Sequence, residues 1–243
     1  MNQSSRLETH LSNTVAMVLF PGLTQLDLTG PYEVFNRMPS TKVVLLSSSL
    51  APVRTEWGLM LMPDATFESS PDFDVVCVPG GWGVNNALET RELIGFLRDR
   101  AEHGRYITSV CSGALLLGAA GLLEGYRATT HWMSHELLSL FGAIPVHERV
   151  VIDRNRITGG GVTAGIDLAL VIAAEMFGDE VAQEIQLAIE YDPLPPFASG
   201  SPLTAPAEVR NVVLKRSAAA LSERRAIIER LTAARYGLEH GQQ

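Results

Sequence analysis

The chain has 243 residues, 46% of them hydrophobic and 19% charged, with a formal net charge of −8. That length admits one large domain or two small ones, and the balance is that of a globular chain rather than a disordered one. The acidic excess argues against nucleic acid as the main partner, because phosphate binding needs a basic face.

Residues 1–13 are polar and lack the apolar core of a signal peptide, so a flexible N-terminal tail and a cytoplasmic location are expected. Thr14 to Phe20 is a continuous apolar run of strand length, ended by Pro21-Gly22. A helix is expected from Pro31 to Arg37, with Thr29 as its cap and Pro31 tolerated in the first turn. Lys42 to Leu46 reads as a second buried strand, and Ala51 to Phe67 as a small antiparallel excursion of short strands and turns. Phe73 to Pro79 is a third core strand, stopped by Gly80-Gly81-Trp82-Gly83. Glu89 to Ala101 has the spacing of an amphipathic helix with Leu93, Phe96 and Leu97 inward. Tyr106 to Val110 is a β-branched strand, and Ala114 to Ala120 a buried helix of small residues and leucine. Ala128 to Thr130 then reads as a short strand and Met133 to Phe141 as a helix ended near Gly142. Val146 to Ile152 and Arg156 to Thr158 are expected as strands around an Asp153-Arg154-Asn155 turn.

Thr163 is placed to cap an apolar helix that runs to Phe177 and closes at Gly178, and another helix spans Glu180 to Tyr191. Five of the chain's 13 prolines fall within residues 192–206, which reads as an extended crossing segment. The last helix, residues 207–236, puts Val209, Val213, Ala220, Ile227 and Leu231 on one stripe, for packing on the domain or on a second subunit. No run approaches the ~18 apolar residues of a membrane span. Buried strands alternating with helices predict an α/β fold, a doubly wound and mostly parallel sheet covered on both faces. Residues 14–243 are expected to form a single domain of this kind.

Ligands gather at the carboxyl ends of the strands in such folds. Three features fall there: Gln25-Leu26-Asp27, the Gly80 to Gly83 run, and Cys111. The pattern Ser109-x-Cys111-x-Gly113 between a strand and a helix matches a nucleophile elbow with sulfur in place of hydroxyl. The helix start supplies N–H groups and partial positive charge that favour a thiolate; the other reading is a buried cysteine acting as a small hydrophobe. Cys77 lies inside a core strand and is expected to be inert. Two cysteines make no disulfide framework, and neither CxxC nor a Cys/His cluster at zinc spacing occurs.

Asp27 sits between leucines, where a desolvated carboxyl with a raised pKa trades protons with a thiol or substrate; it also suits a cap at the Thr29-Gly30-Pro31 turn. The glycines at 80–83 either aim backbone N–H groups at developing negative charge or simply form a tight turn. Trp82 walls an apolar pocket or fills a core. Ser112 donates through its backbone or hydroxyl, or starts the helix. His131 is a candidate partner for Cys111, while His131 and His135 as a metal pair lack a third ligand. His147, Glu148 and Asp167 read as structural.

Taken together, DLTGPYEVF, CVPGGWGVNNAL, SVCSGALLLGAAGLLEGYRATTHW and TGGGVTAGIDLAL resemble the DJ-1/PfpI superfamily. Within it they are most similar to the isocyanide (isonitrile) hydratases, as are PVHERVV and QLAIEYDPLPPFASGSPLTAP. The resemblance runs from about Thr14 to the end. It implies a flavodoxin-like sandwich, a homodimer, Cys111 as nucleophile and Asp27 as its acidic partner, where many members carry Glu. The protease-like branch has His directly after the cysteine; Ser112 stands there in this chain, which weakens a protease reading. The implied chemistry is attack of Cys111 on an isocyanide carbon, proton delivery by Asp27 to give a thioimidate, and water addition that releases an N-substituted formamide. Backbone N–H groups near Gly81, Trp82 and Ser112 would position substrate and water, and no metal or organic cofactor is required. The expected partner is a small isocyanide, with neither nucleic acid nor membrane. A glyoxalase-like thiol activity, an oxidation sensor and a non-catalytic ligand sensor, of the kind AraC-type regulators carry, are the competing readings.

Overall fold

A computed structural model describes residues 13–100 and 103–240. Seven strands form one sheet in the order β10-β11-β7-β6-β1-β2-β5. The inner strands are β1 (Asn13–Val18), β6 (Val75–Val78), β7 (Tyr106–Val110) and β11 (Arg156–Gly159). β6, β7 and β11 are buried at every position, which is why β6 and β7 read as apolar or β-branched runs rather than alternating ones. β2 (Thr41–Ser47) and β5 (Ala65–Thr66) extend the sheet on one side, and β10 (Val150–Asp153) closes the other. Every pairing in the sheet is parallel except β10 with β11, which turn back on each other at Arg154, φ 55°.

Helices α1 (Gln25–Phe35), α3 (Arg91–Arg100), α4 (Gly113–Ala119), α5 (Ala164–Phe177) and α6 (Asp179–Ala188) connect and flank the strands, with a one-turn helix α2 (Val84–Ala87) after the glycine run. Two strand pairs stand apart: β3 (Val53–Arg54) with β4 (Met60–Leu61), antiparallel, and β8 (Arg127–Ala128) with β9 (Ile144–Pro145), parallel. A 3₁₀ helix, Trp132–Phe141, lies between β8 and β9 and ends at left-handed Gly142. A long helix, α7 (Ala207–His240), follows the proline-rich segment. No helix of the described residues is long and apolar enough to cross a membrane.

Several expectations are corrected. The first helix starts at Gln25 rather than Pro31, and Thr29 lies inside it, donating to Gln25 Oε1. Pro31 falls inside the helix, on the face where α1 packs tightly on α5: a Cβ on Gly165 would stand 3.0 Å from Pro31 Cδ. Asp27 therefore belongs to a helical first turn rather than to a cap before Pro31. The strand expected from Val146 to Ile152 is shorter: β10 starts at Val150, and Val146 to Arg149 lie in no strand, following β9 of the small sheet. The excursion before Phe67 is antiparallel only at β3–β4, since β5 runs parallel to β2. On α7, Ile227 is buried and Leu231 half-buried, but Val209 and Val213 are exposed. The expected tail lies outside the described residues except for Asn13, which opens β1.

Candidate active site

Cys111 follows the last residue of β7 and precedes α4, in the left-handed region at φ 55°. Such a torsion is costly for a residue with a Cβ and persists only where neighbours hold it. Here the Cys111 N–H donates to Gly159 O at 3.0 Å, and its carbonyl accepts from the buried Thr130 Oγ1 at 2.7 Å. Gly113 completes the turn, because a Cβ there would collide with the Val78 and Pro79 carbonyls. The sulfur is presented at the carboxyl end of the sheet, yet Cys111 is only 5% exposed.

Asp27 is fully buried, and its Oδ2 accepts from the Gly80 N–H at 2.8 Å. Its Oδ1 has no hydrogen-bond partner among the described residues. Burial pushes the carboxyl up to about 7, helped by the charge of Glu56 and opposed by the Gly80 N–H and the Cys111 thiol. The thiol in turn is driven well above its ordinary value, chiefly by burial and then by Asp27; the Ser112 N–H and Arg224 act in the other direction. Helix α4 thus offers the stabilisation expected from its N-terminus, but burial outweighs it. Cys111 and Asp27 thus act on each other: the thiol lowers the carboxyl, and the carboxylate raises the thiol.

The Ser112 hydroxyl accepts from the Gly81 N–H at 3.0 Å and lies 3.2 Å from the Gly81 carbonyl, to which it donates. Gly81 itself is at φ 128°, pressed against the backbone of Leu23 and Thr24, so only glycine fits. The Trp82 N–H points to Glu56 Oε2 at 3.4 Å, and Glu56 Oε1 accepts from Thr24 Oγ1 at 2.9 Å. The glycine run therefore has its own acceptors: Gly80 holds Asp27, Gly81 holds Ser112 and Trp82 holds Glu56. A cavity of about 140 Å³ opens over the sulfur, walled by Trp82, Ser112, His131, Glu56 and Arg224, with Met133 and Val162 as apolar surface.

His131 lines this cavity without a hydrogen bond to Cys111 among the described residues. Its Nδ1 accepts from the Met133 N–H at 3.4 Å, capping the 3₁₀ helix. Burial and the charge of Arg224 lower it to about 4, so it is neutral at neutral pH. His135 turns elsewhere, stacking on His147 at 3.6 Å between ring centroids, with Nε2 3.0 Å from Val146 O. Among the described residues no group of three or more His, Cys, Asp or Glu is placed to hold a metal ion. Asp167 takes Arg149 Nε at 2.9 Å and the Tyr191 hydroxyl at 3.0 Å, and Glu148 faces Arg127 at 3.7 Å. Cys77 is buried in β6, its thiol pushed up to about 12 by burial.

The chain matches the DJ-1/PfpI family over residues 13–175. It belongs to the DJ-1/PfpI family. Of individual DJ-1/PfpI relatives, the isonitrile hydratase of Pseudomonas putida is 52% identical over 219 residues, covering 90% of this chain and 96% of that protein. The HTH-type transcriptional regulator GbdR of Pseudomonas aeruginosa is 30% identical over 187 residues, which is 74% of this chain but 51% of the regulator. The crystal structure of a ThiJ/PfpI family protein from Pseudomonas syringae superimposes with a TM-score of 0.87 at 46% identity, covering 89% of this chain and 90% of that one.

Four residues of the site escaped sequence reasoning. Glu56 and Thr130 sit in irregular segments whose side chains carry no periodic signal. Asn85 and Arg224 bond to each other across the gap between α2 and α7. Arg224 did leave a trace: it falls on the stripe of Ala220, Ile227 and Leu231, where a charge on a buried face demands a reason.

Proposed function

We propose that this chain is an isonitrile hydratase, converting an isocyanide and water to an N-substituted formamide. The observation that carries the reading is the 52% identity to the Pseudomonas putida isonitrile hydratase across nearly the whole of both chains. The regulator likeness is weaker and covers about half of that protein, so a sensor role is not favoured.

The mechanism we infer uses the Cys111–Asp27 pair. Near neutral pH the pair loses one of its two protons as Asp27 titrates at about 7. In the singly protonated form the carboxylate takes the thiol proton, and the sulfur electron pair forms a bond to the isocyanide carbon. The carbanion so formed takes the proton from the Asp27 carboxyl, leaving a neutral thioimidate, S–CH=N–R. Water then adds across C=N, with Asp27 taking its proton and handing it to the nitrogen, which gives S–CH(OH)–NH–R. Collapse breaks the C–S bond as the hydroxyl proton passes through Asp27 to the sulfur, releasing the formamide and restoring the thiol. Each proton transfer runs through one carboxyl whose pKa lies near the working pH, which is where general acid–base catalysis is most effective.

Cys111 is thereby the nucleophile of an elbow, and Asp27 the general acid and base. Gly81, Trp82 and Ser112 form the wall against which the substrate lies, the hydroxyl and N–H of Ser112 being the polar groups beside the sulfur. His131, neutral and fixed as a helix cap, orients substrate without exchanging protons with Cys111. We take residues 14–243 as one functional unit, a reading supported by the hydrogen bonds of Arg224 on α7 to Gly81 and Ser134. We also infer a cytoplasmic homodimer, which the exposed Leu194, Phe197, Leu203, Val209, Val212 and Val213 support as apolar surface available for burial.

Incubating the purified chain with an alkyl isocyanide and following the formyl proton by NMR tests the function. Catalytic formamide production is expected, and its absence would overturn the reading.

A further inference from the structure

Of the residues that wall the cavity, Arg224 is the one that comes from beyond the family's matched span. It is 3% exposed. Its Nε donates to Asn85 Oδ1 at 2.9 Å, one terminal nitrogen to Ser134 Oγ at 2.9 Å and the other to Gly81 O at 3.1 Å. The guanidinium also lies 5.2 Å from the ring centre of Trp82. All three hydrogen-bond acceptors are neutral, and among the described residues no carboxylate pairs with it. Burying an uncompensated charge is expensive, and three neutral acceptors fix the guanidinium without neutralising it.

Glu56 lines the same cavity, but among the described residues it makes no ion pair with Arg224, its oxygens bonding instead to Thr24 Oγ1 and the Trp82 N–H. Glu223, on the same helix, is exposed and bonded to Asn85 Nδ2. His131 is neutral, and Asp27 is held by Gly80. The remaining group is the Cys111 sulfur, the atom that must carry negative charge when it attacks.

We propose that Arg224 is a positioning residue for the reaction, its fixed charge on α7 stabilising the anionic sulfur of Cys111 through space. The thiol proton passes to Asp27, the sulfur electron pair becomes the S–C bond, and the proton returns to the isocyanide carbon; Arg224 gives and takes no proton. The proposal rests on the hydratase reading only for the identity of the electrophile, because the same charge acts on the sulfur toward any electrophile.

The test compares Arg224→Met and Arg224→Lys with the natural chain. The rate of Cys111 alkylation by iodoacetamide, a neutral reagent, is followed on the Cys111 peptide by mass spectrometry from pH 6 to pH 10, on the rising limb below the thiol's own titration. In Arg224→Met this limb is expected to move up by about one pH unit, with on the order of tenfold slower reaction at pH 8. Arg224→Lys should recover most of the loss, and kcat for formamide formation should fall in Arg224→Met with KM little changed. A residue that only holds α7 in place would lower the melting temperature of both variants and leave the alkylation limb where it was. An unchanged limb in folded Arg224→Met overturns the proposal, and Arg224→Gln replaces it if the methionine variant does not fold. A shifted limb in a protein that makes no formamide would sink the hydratase reading and leave this one standing.

Discussion

Asp27 is held with no exposure in the first turn of α1, and its pKa of about 7 against an ordinary 3.8 comes mainly from loss of water. Because the folded chain binds this proton more tightly than the unfolded one, the protonated carboxyl favours folding. That contribution is complete below about pH 4 and is lost as pH rises through about 7. Asp27→Asn, which mimics the neutral form and can still accept from Gly80, is expected to gain ~2–4 kcal/mol relative to the natural chain between pH 5 and pH 8. Thermal unfolding at the two pH values reads this directly, and parallel behaviour of the two proteins would contradict it. In the proposed mechanism the same titration governs rate. Activity should rise with pH to a midpoint near 7, and Asp27→Asn should lose at least ~100-fold in kcat/KM together with that limb. A variant that keeps the limb would place the titration elsewhere.

At the scale of elements, the turn at Cys111 is a junction of three segments. β7 delivers Cys111, Gly159 of β11 takes its N–H, and Thr130, just past β8, grips its carbonyl at 2.7 Å. The Thr130 bond opposes relaxation of the left-handed torsion, which costs on the order of 1–3 kcal/mol. Thr130→Val keeps the shape of the side chain but removes the donor. We expect it to lower stability by ~1–2 kcal/mol and kcat by on the order of tenfold, with binding of a small isocyanide little affected. Unaltered kcat in the valine variant would show that the turn is held without Thr130. The strand–turn–helix at Cys111 was legible in the sequence because a β-branched strand, small residues and a leucine-rich helix each carry a strong local pattern. The start of α1 was not. Pro31 reads locally as a helix opening, whereas it sits mid-helix, packed close to Gly165 on α5.

The whole molecule shows the same division. The mostly parallel sheet follows from runs such as Val75 to Val78, apolar because helices cover both faces. Cys111 and Asp27 could be singled out because both follow strands whose ends must converge in such a sheet. Arg224 and Glu56 could not, since each reaches the cavity from an element whose path depends on tertiary packing. The apolar side chains left exposed on the proline-rich segment and the start of α7 point to association. Light scattering should give twice the monomer mass, and a monomer at micromolar concentration would contradict the homodimer.

The central claim is that Cys111 attacks the isocyanide carbon. Its most direct test is the mass of the protein quenched in acid during turnover, measured alongside formamide output of Cys111→Ala. An added mass equal to one intact isocyanide is expected on the Cys111 peptide, with no formamide from the alanine variant. Formamide produced by Cys111→Ala at a rate near that of the natural chain would contradict it.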